Sequence, residues 1–344
     1  MEAHAGKIRV FDPGLTLPTV YFRIAARGSP EASRAPALER LIARAGRPTS
    51  AAVWRTEAFR AIAADGAGPP PIAVAQLRAS GDFGRYGWVA VATPVHLVAG
   101  MSSVHLPADG ILDLDASEAD RLAEDFNRSF GDGGTHLSRG LGGGLLCLFD
   151  ALLEADTTPP EEALGEDVWA HQPRGEGSAE LRRLASEIEM WLFDHPVNMA
   201  RRERAVPVIS ALWLWGGGAG DAALPDVAGW VAGDDALFSA FHRRLQYPPA
   251  ADSSSAASGP ARSGVVVLAS WPGTAAWRET EQRWLNPALE DLKAGRLERI
   301  EISAAATSFR LSARGLLQFW RRSRPWWESF GVQAAAREDT QLGD

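Results

Sequence analysis

The sequence predicts an α/β fold with a mixed, mostly parallel sheet flanked by helices. Two observations carry that expectation. Apolar runs of strand length interleave along the chain with amphipathic segments at helical spacing, the order that lays helices over a sheet. The run 208–215 is apolar on both alternating faces apart from Ser210, and a strand buried on both faces belongs inside a helix-covered sheet.

Taken in order, strands are expected at 8–11 and 19–24, helices at 38–45 and 51–64, and strands at 71–77 and 88–92. A helix at 118–130 has clear limits, with Ser117 and Asp120 as a capping pair and Gly131 just past its end. The next helix, 179–193, is capped by Ser178 and carries a wide apolar face of Leu181, Leu184, Ile188, Trp191 and Leu192. Arg183 and Glu187 lie one turn apart on its solvent side. It should stop near Asp194-His195, because the residue before Pro196 is pushed out of the helical region. A basic turn then leads into strand 208–215, with Val208, Leu212 and Leu214 on one side and Ile209, Ala211, Trp213 and Trp215 on the other. That strand runs directly into Gly216-Gly217-Gly218. The remaining elements are a helix at 235–245, a strand at 265–269, a helix at 275–284, and strands at 297–302 and 308–311. The chain, 1–344, makes one α/β domain or two lobes, with flexible segments at 156–177 and 248–263.

Composition bounds the function. A net charge of −8 excludes a general nucleic-acid binder, although the local Arg-rich spots at 201–204 and 321–324 can each hold one anion. The single cysteine, Cys147, excludes an intrachain disulfide and fits a reducing compartment. It sits in the apolar run 144–149, as a small core residue rather than a nucleophile. No run approaches the ~18 apolar residues of a membrane span, so no membrane partner is expected and the location is read as cytoplasmic. The 13 tryptophans either fill core space or line an aromatic groove.

The string His195-Pro196-Val197-Asn198, followed by Arg201-Arg202 and by Leu-Trp-Leu-Trp-Gly-Gly-Gly at 212–218, resembles the RpfE-type regulatory proteins of proteobacteria. These are related to cofactor-independent phosphoglycerate mutases of the archaeal kind. The stretches 88–97 and 319–322 are similar to elements of the same family, with a departure at Thr93, where the family carries an acidic residue. The resemblance implies a phosphoglycerate-mutase-like scaffold and a role in regulation.

The mutase relatives also imply a two-metal phosphoryl-transfer site, which needs several Asp and His ligands and a Ser nucleophile. The sequence lacks that set: there is no His-x-His pair, Asp12 is followed by Pro13-Gly14, and His96, His105 and Asp109 are loosely spaced. No metal and no cofactor are therefore expected. The candidate ligand-binding residues are Asn198, Arg201, Arg202, Gly216, Gly217, Gly218 and His96. Arginine offers a two-pronged fork to phosphate or carboxylate, and glycines let backbone N–H groups approach an anion. Against this, Asn198 can cap a turn, the arginines can stand in solvent, and the glycines can make a tight turn. His195, at a helix C-terminus, is expected in a fixed structural hydrogen bond, with the dipole favouring a protonated ring. If strands 88–92, 208–215 and 265–269 are parallel neighbours, then His96, the three glycines and Ser270 face one cleft. Two functions follow. One is a non-catalytic regulatory or ligand-binding protein, partnered by a phosphorylated small molecule or by a protein. The alternative is an enzyme acting on a phosphorylated small metabolite.

Overall fold

The computed structural model describes residues 18–24, 34–82, 84–101, 103–233, 235–244, 263–268 and 274–331. The strand expected at 8–11, Ser270 and nearly all of 248–263 lie outside the described residues. Twelve described strands form three sheets. The largest sheet holds β1 (Thr19–Ile24), β2 (Thr49–Ser50), β9 (Trp230–Gly233), β10 (Gly264–Leu268), β11 (Arg299–Ala304) and β12 (Thr307–Ser312), in the order β2-β12-β11-β1-β10-β9. Its four strands from β11 to β9 run parallel, while β12 and β2 add antiparallel at one edge. The second sheet, β6-β7-β3-β8, is antiparallel throughout and is built from β3 (Trp88–Val95), β6 (Thr135–Arg139), β7 (Leu145–Phe149) and β8 (Ala211–Ala219). A two-stranded ribbon pairs β4 (Val98–Ala99) with β5 (Val104–His105).

Alternation along each strand sends side chains to opposite faces, and helices cover both faces of both larger sheets. On the parallel sheet, Val20, Phe22 and Ile24 pack with α1 (Pro36–Arg44), α7 (Thr274–Thr280), α8 (Asn286–Lys293) and α10 (Trp326–Phe330). Tyr21, Val265 and Val267 turn the other way, against α2 (Trp54–Ile62) and the 3-10 helix Phe238–Arg244. On the antiparallel sheet, Trp88, Ala90, Cys147 and Leu212 meet α4 (Ala116–Phe130) and α5 (Ser178–Phe193). Val89, Val91 and Trp215 meet α3 (Ile72–Ala79), which also contacts the 3-10 helix Phe238–Arg244 under the parallel sheet. Burial pushes the Cys147 thiol far above its ordinary range, so it is an inert core residue. The largest fully buried side chains include Trp88, Trp277 and Trp326, whereas Trp169 and Trp320 are exposed, so core filling accounts for only part of the tryptophan content.

Several expectations change. Segment 71–77 is the helix α3, not a strand. A short apolar run does not distinguish the two by periodicity, and alanines 73, 75 and 79 with Leu77, Gln76 and Arg78 are strong helix formers. The cap of α4 is Asp115, which accepts from Glu118 N while Glu118 reaches back to Asp115 N, a reciprocal box shifted from Ser117 and Asp120. Gly177, not Ser178, is the N-cap of α5. The basic turn after His195 is a helix, α6 (Pro196–Glu203), with Pro196 at its first position. The strand expected at 208–215 starts later and continues through all three glycines to Ala219. The 275–284 helix runs on through a π-helical turn, Glu281–Leu285, into α8. Strands β6 and β7 and the ribbon β4–β5 were not anticipated. Segment 156–177 is tied by an Asp156–Arg174 backbone bridge and by 3-10 turns at Pro160–Glu162 and Val168–His171.

Candidate functional site

The 195–218 motif resolves into a clamp. Asn198, almost wholly buried, donates twice through its amide, to Leu192 O and Ile209 O at 2.8 Å each, and accepts from Ile209 N at 2.8 Å. These bonds fix the end of α5 against the chain entering β8. Arg201 donates from Nε to Pro207 O at 2.7 Å and from Nη1 to Glu118 Oε2 at 2.8 Å. Both ends of that ion pair are buried, at 7% and 9% side-chain exposure, and Arg204 binds the other oxygen of Glu118. Arg202 is exposed and donates to Phe193 O at 2.8 Å. His195 follows the C-cap of α5, with its backbone N–H donating to Leu192 O at 3.2 Å, and is also the N-cap of α6, with Nδ1 accepting from Val197 N at 3.2 Å. Burial lowers its pKa, and Arg121 adds to that, against the opposing pull of Asp125 Oδ2 at 3.4 Å. The expected preference for a protonated ring is therefore reversed, because burial disfavours the charged form.

The glycines serve packing. A Cβ on Gly217 would lie 2.0 Å from the Trp88 ring, and one on Gly218 would lie 2.3 Å from Pro71 Cγ. Gly216 has φ +62 beside a register shift opposite Val89 and Val91, and its N–H already donates to Thr157 Oγ1 at 3.0 Å. His96 donates from Nδ1 to Val208 O at 2.9 Å. The expected cleft does not form. Strands β3 and β8 are antiparallel, Val95 pairing with Ala211 and Val89 with Gly218, while β10 belongs to the other sheet. His96 and the glycines thus stand at opposite ends of β3, roughly 20 Å apart at the usual rise per residue.

Charge gathers instead at the carboxyl ends of the parallel strands. Arg23, near the end of β1, donates from Nη1 to Ala305 O at 2.9 Å and lies 5.0 Å from the centre of the Trp54 ring. Arg55, at the start of α2, meets the same ring and a second one: its guanidinium is 4.9 Å from Trp54 and 5.5 Å from Trp215. It is held by Asp235 Oδ2 at 3.0 Å and by Glu161 Oε1 at 3.6 Å. Burial works to lower the Arg55 pKa, but those two carboxylates outweigh it and raise it. Arg23 differs. Burial and the neighbouring Arg55 charge bring its pKa down to about 10, and no carboxylate lies within ion-pair range of it among the described residues. Glu161 Oε2 is buried without a hydrogen-bond partner. Trp215 completes the wall, its indole N–H donating to Thr93 Oγ1 at 2.8 Å. Sequence reasoning missed this cluster, because its members come from β1, α2, the 156–177 segment and the turn after β9.

A cavity of about 480 Å³ adjoins, lined by Thr157, Glu162, Glu166, His171 and Arg174 among others. Glu162 links the two, since it lines the cavity and its carboxyl feels both Arg55 and Arg23. Burial raises its pKa despite the arginines. Among the described residues no group of three or more His, Cys, Asp or Glu is placed to hold a metal ion, so these residues do not fit a two-metal centre. Asp12 lies outside the described residues.

No family model matches the chain. Over 60 residues, 17% of this chain, it is 33% identical to a probable 2,3-bisphosphoglycerate-independent phosphoglycerate mutase of Geobacter sulfurreducens. Over 65 residues, 19% of this chain, it is 32% identical to the 2,3-bisphosphoglycerate-independent phosphoglycerate mutase of Methanothrix thermoacetophila. The relation to these mutases is local. The matches cover 15% and 17% of the two relatives' own lengths. Among solved structures, the cofactor-independent phosphoglycerate mutase of Thermoplasma acidophilum aligns over 86% of this chain and 90% of its own, at 14% identity and a TM-score of 0.33. A protein of Pyrococcus horikoshii aligns over 87% of this chain and 88% of its own, at 13% identity and a TM-score of 0.34. Among the described residues no helix is long and apolar enough to cross a membrane.

Proposed function

We propose that the protein binds a phosphorylated small molecule at the carboxyl edge of its parallel strands, and that it acts as a ligand-binding regulatory protein of the kind the 195–218 resemblance implies. The observation that carries this reading is Arg23: a largely buried guanidinium, flanked by Trp54, with no acidic partner among the described residues. Ligands of open α/β sheets bind outside the carboxyl ends of the strands, where Arg23 stands. An anionic group there would meet a two-pronged donor whose neighbour, Arg55, is fixed by Asp235 and Glu161. The unpartnered Glu161 Oε2 offers an acceptor to a ligand hydroxyl. The local relation to phosphoglycerate mutases supports the same ligand class, a phosphorylated hydroxy acid.

The test is a thermal-shift titration with inorganic phosphate and with 3-phosphoglycerate, on the wild type, Arg23→Gln and Arg202→Gln. A charge-assisted contact to Arg contributes about 1.5–3 kcal/mol, so Arg23→Gln should lose about one to two decades of affinity. Arg202→Gln should bind as the wild type does. If neither ligand stabilises the wild type, or if Arg23→Gln binds normally, the reading fails.

A second reading, an enzyme acting on a phosphorylated small metabolite, is favoured by Glu162. A cavity-wall carboxyl with a raised pKa is a candidate proton carrier. Turnover of a phosphorylated substrate that Glu162→Gln abolishes, with binding retained, would select this second reading.

A further inference from the structure

The sequence offers two Arg-rich spots as anion sites, and the fold treats them differently. At 201–204, Arg201 and Arg204 are committed to Glu118. At 321–324 the arginines have no ion pair with an acid among the described residues. The C-terminal end of α1 and the segment after α9 (Ala313–Leu316) enclose a cleft of about 290 Å³, lined by Arg47, Arg321, Arg322 and Arg324 together with Ser329 and the apolar Ile42 and Phe309. Arg321 is pinned by Nη1 bonds to Ala45 O at 2.8 Å and Ala43 O at 3.5 Å, which also satisfy carbonyls at the end of α1. Arg47, Arg322 and Arg324 have no carboxylate within ion-pair range among the described residues. One acid does line the cleft. Glu39 is buried, but both its oxygens are taken by Arg34 at 2.6–2.9 Å, so its charge is already matched.

We propose that this cleft is a binding site for a phosphate group, separate from the Arg23 site. Like charges gathered without a counter-charge repel, and an anion between them removes that cost. A planar carboxylate is satisfied by one guanidinium fork, whereas a doubly charged tetrahedral phosphate takes donors from several arginines at once. Ser329 adds a hydroxyl, and Ile42 with Phe309 gives an apolar floor for whatever carries the phosphate. Leu317, Phe319 and Trp320, just before Arg321, are exposed by 67–76%, and Phe319 and Trp320 meet edge-on at 5.4 Å. The phosphate therefore belongs either to a free small molecule or to a lipid headgroup beside these apolar side chains.

The experiment is calorimetric titration of inorganic phosphate and pyrophosphate into the full chain at low salt, comparing the wild type, Arg322→Gln/Arg324→Gln, Arg47→Gln and Arg23→Gln. All three substituted cleft arginines are exposed, so these variants should melt as the wild type does. The expected result is a phosphate-binding component that survives Arg23→Gln and weakens at least about tenfold in Arg322→Gln/Arg324→Gln, the scale of one lost charge-assisted contact. Arg47→Gln should give a smaller loss in the same component. Sedimentation with phosphatidylcholine vesicles, with and without phosphatidic acid, identifies the source. Binding that needs phosphatidic acid and is lost in the double variant assigns a headgroup, while soluble phosphate binding without vesicle binding assigns a free metabolite. The proposal is overturned if the double variant binds phosphate and vesicles as the wild type does, or if neither probe binds. Loss confined to Arg23→Gln would sustain the carboxyl-edge site and remove this one.

Discussion

Replacing Arg201 by Ala should unfold the protein more readily rather than empty an anion site. The Arg201–Glu118 pair is buried on both sides, at 2.8 Å, and the same guanidinium holds Pro207 O at 2.7 Å. Removing one partner of a buried ion pair typically costs about 3–5 kcal/mol, because the other charge is left without compensation. Here the loss is partly relieved, since Arg204, half exposed, still reaches Glu118. The expectation is therefore near the lower end, about 3 kcal/mol. Glu118 is also half of the capping box of α4, so the pair docks α6 onto the start of that helix. Urea denaturation followed by circular dichroism would measure the change, with Glu118→Gln and the double variant closing a thermodynamic cycle. The two single losses should overlap by about 0.5–3 kcal/mol, as contacting residues do. A loss for Arg201→Ala below about 1 kcal/mol, the surface scale, would refute the reasoning. So would a fall in phosphate affinity with stability unchanged.

Gly217→Ala would drive a methyl into the Trp88 ring, which is itself buried and packed edge-on against Phe149 at 5.4 Å. A thermal or urea melt should show a loss of about 1–3 kcal/mol, and an unchanged melt would return the glycines to a ligand role. Trp215→Ala should cost about 3–5 kcal/mol as a core truncation, with Trp213→Ala, a half-buried residue bonded to Thr158 O, costing less. Equal losses in denaturation would contradict that ordering. His195 has a folded-state pKa below its ordinary 6.5, so the unfolded chain binds more protons near that pH. Its contribution is fully present above about pH 6.5 and declines as pH falls through that value toward the lower folded pKa. Asp125, whose pKa is held down by Arg121 and Arg128 against burial, acts in a separate window below 3.8. Urea midpoints at about pH 7.5 and 5.5 should differ more for the wild type than for His195→Asn, and equal slopes would refute the assignment.

The α/β class, the helices α1 and α2 to within three residues at each end, the strand β1 and the double-sided burial of β8 were legible in the sequence. Each rests on local periodicity, which a helix or strand expresses wherever it is later placed. The failures share a cause. Segment 71–77 was ambiguous because a short apolar run fits either period, and only contact with β8 and the 3-10 helix Phe238–Arg244 shows why its alanines face two ways. The packing reason for Gly217 and Gly218 lies across the sheet, in the Trp88 ring and in Pro71, where sequence spacing does not show it. Asn198 and Arg201 have the donors an anion site needs, but donors are equally suited to Leu192 O, Ile209 O and Glu118, and sequence spacing does not say which partner is nearer. Strand direction was decided by pairing over long separations, which put β3 beside β8 antiparallel and moved β10 to the other sheet. Local periodicity determined the type of the longer, cleanly patterned segments. The tertiary structure decided what each side chain touches, and so moved the candidate site to Arg23 and Arg55: Arg55 follows Trp54 on α2, but only the folded sheet brings Arg23 from β1 to the same ring.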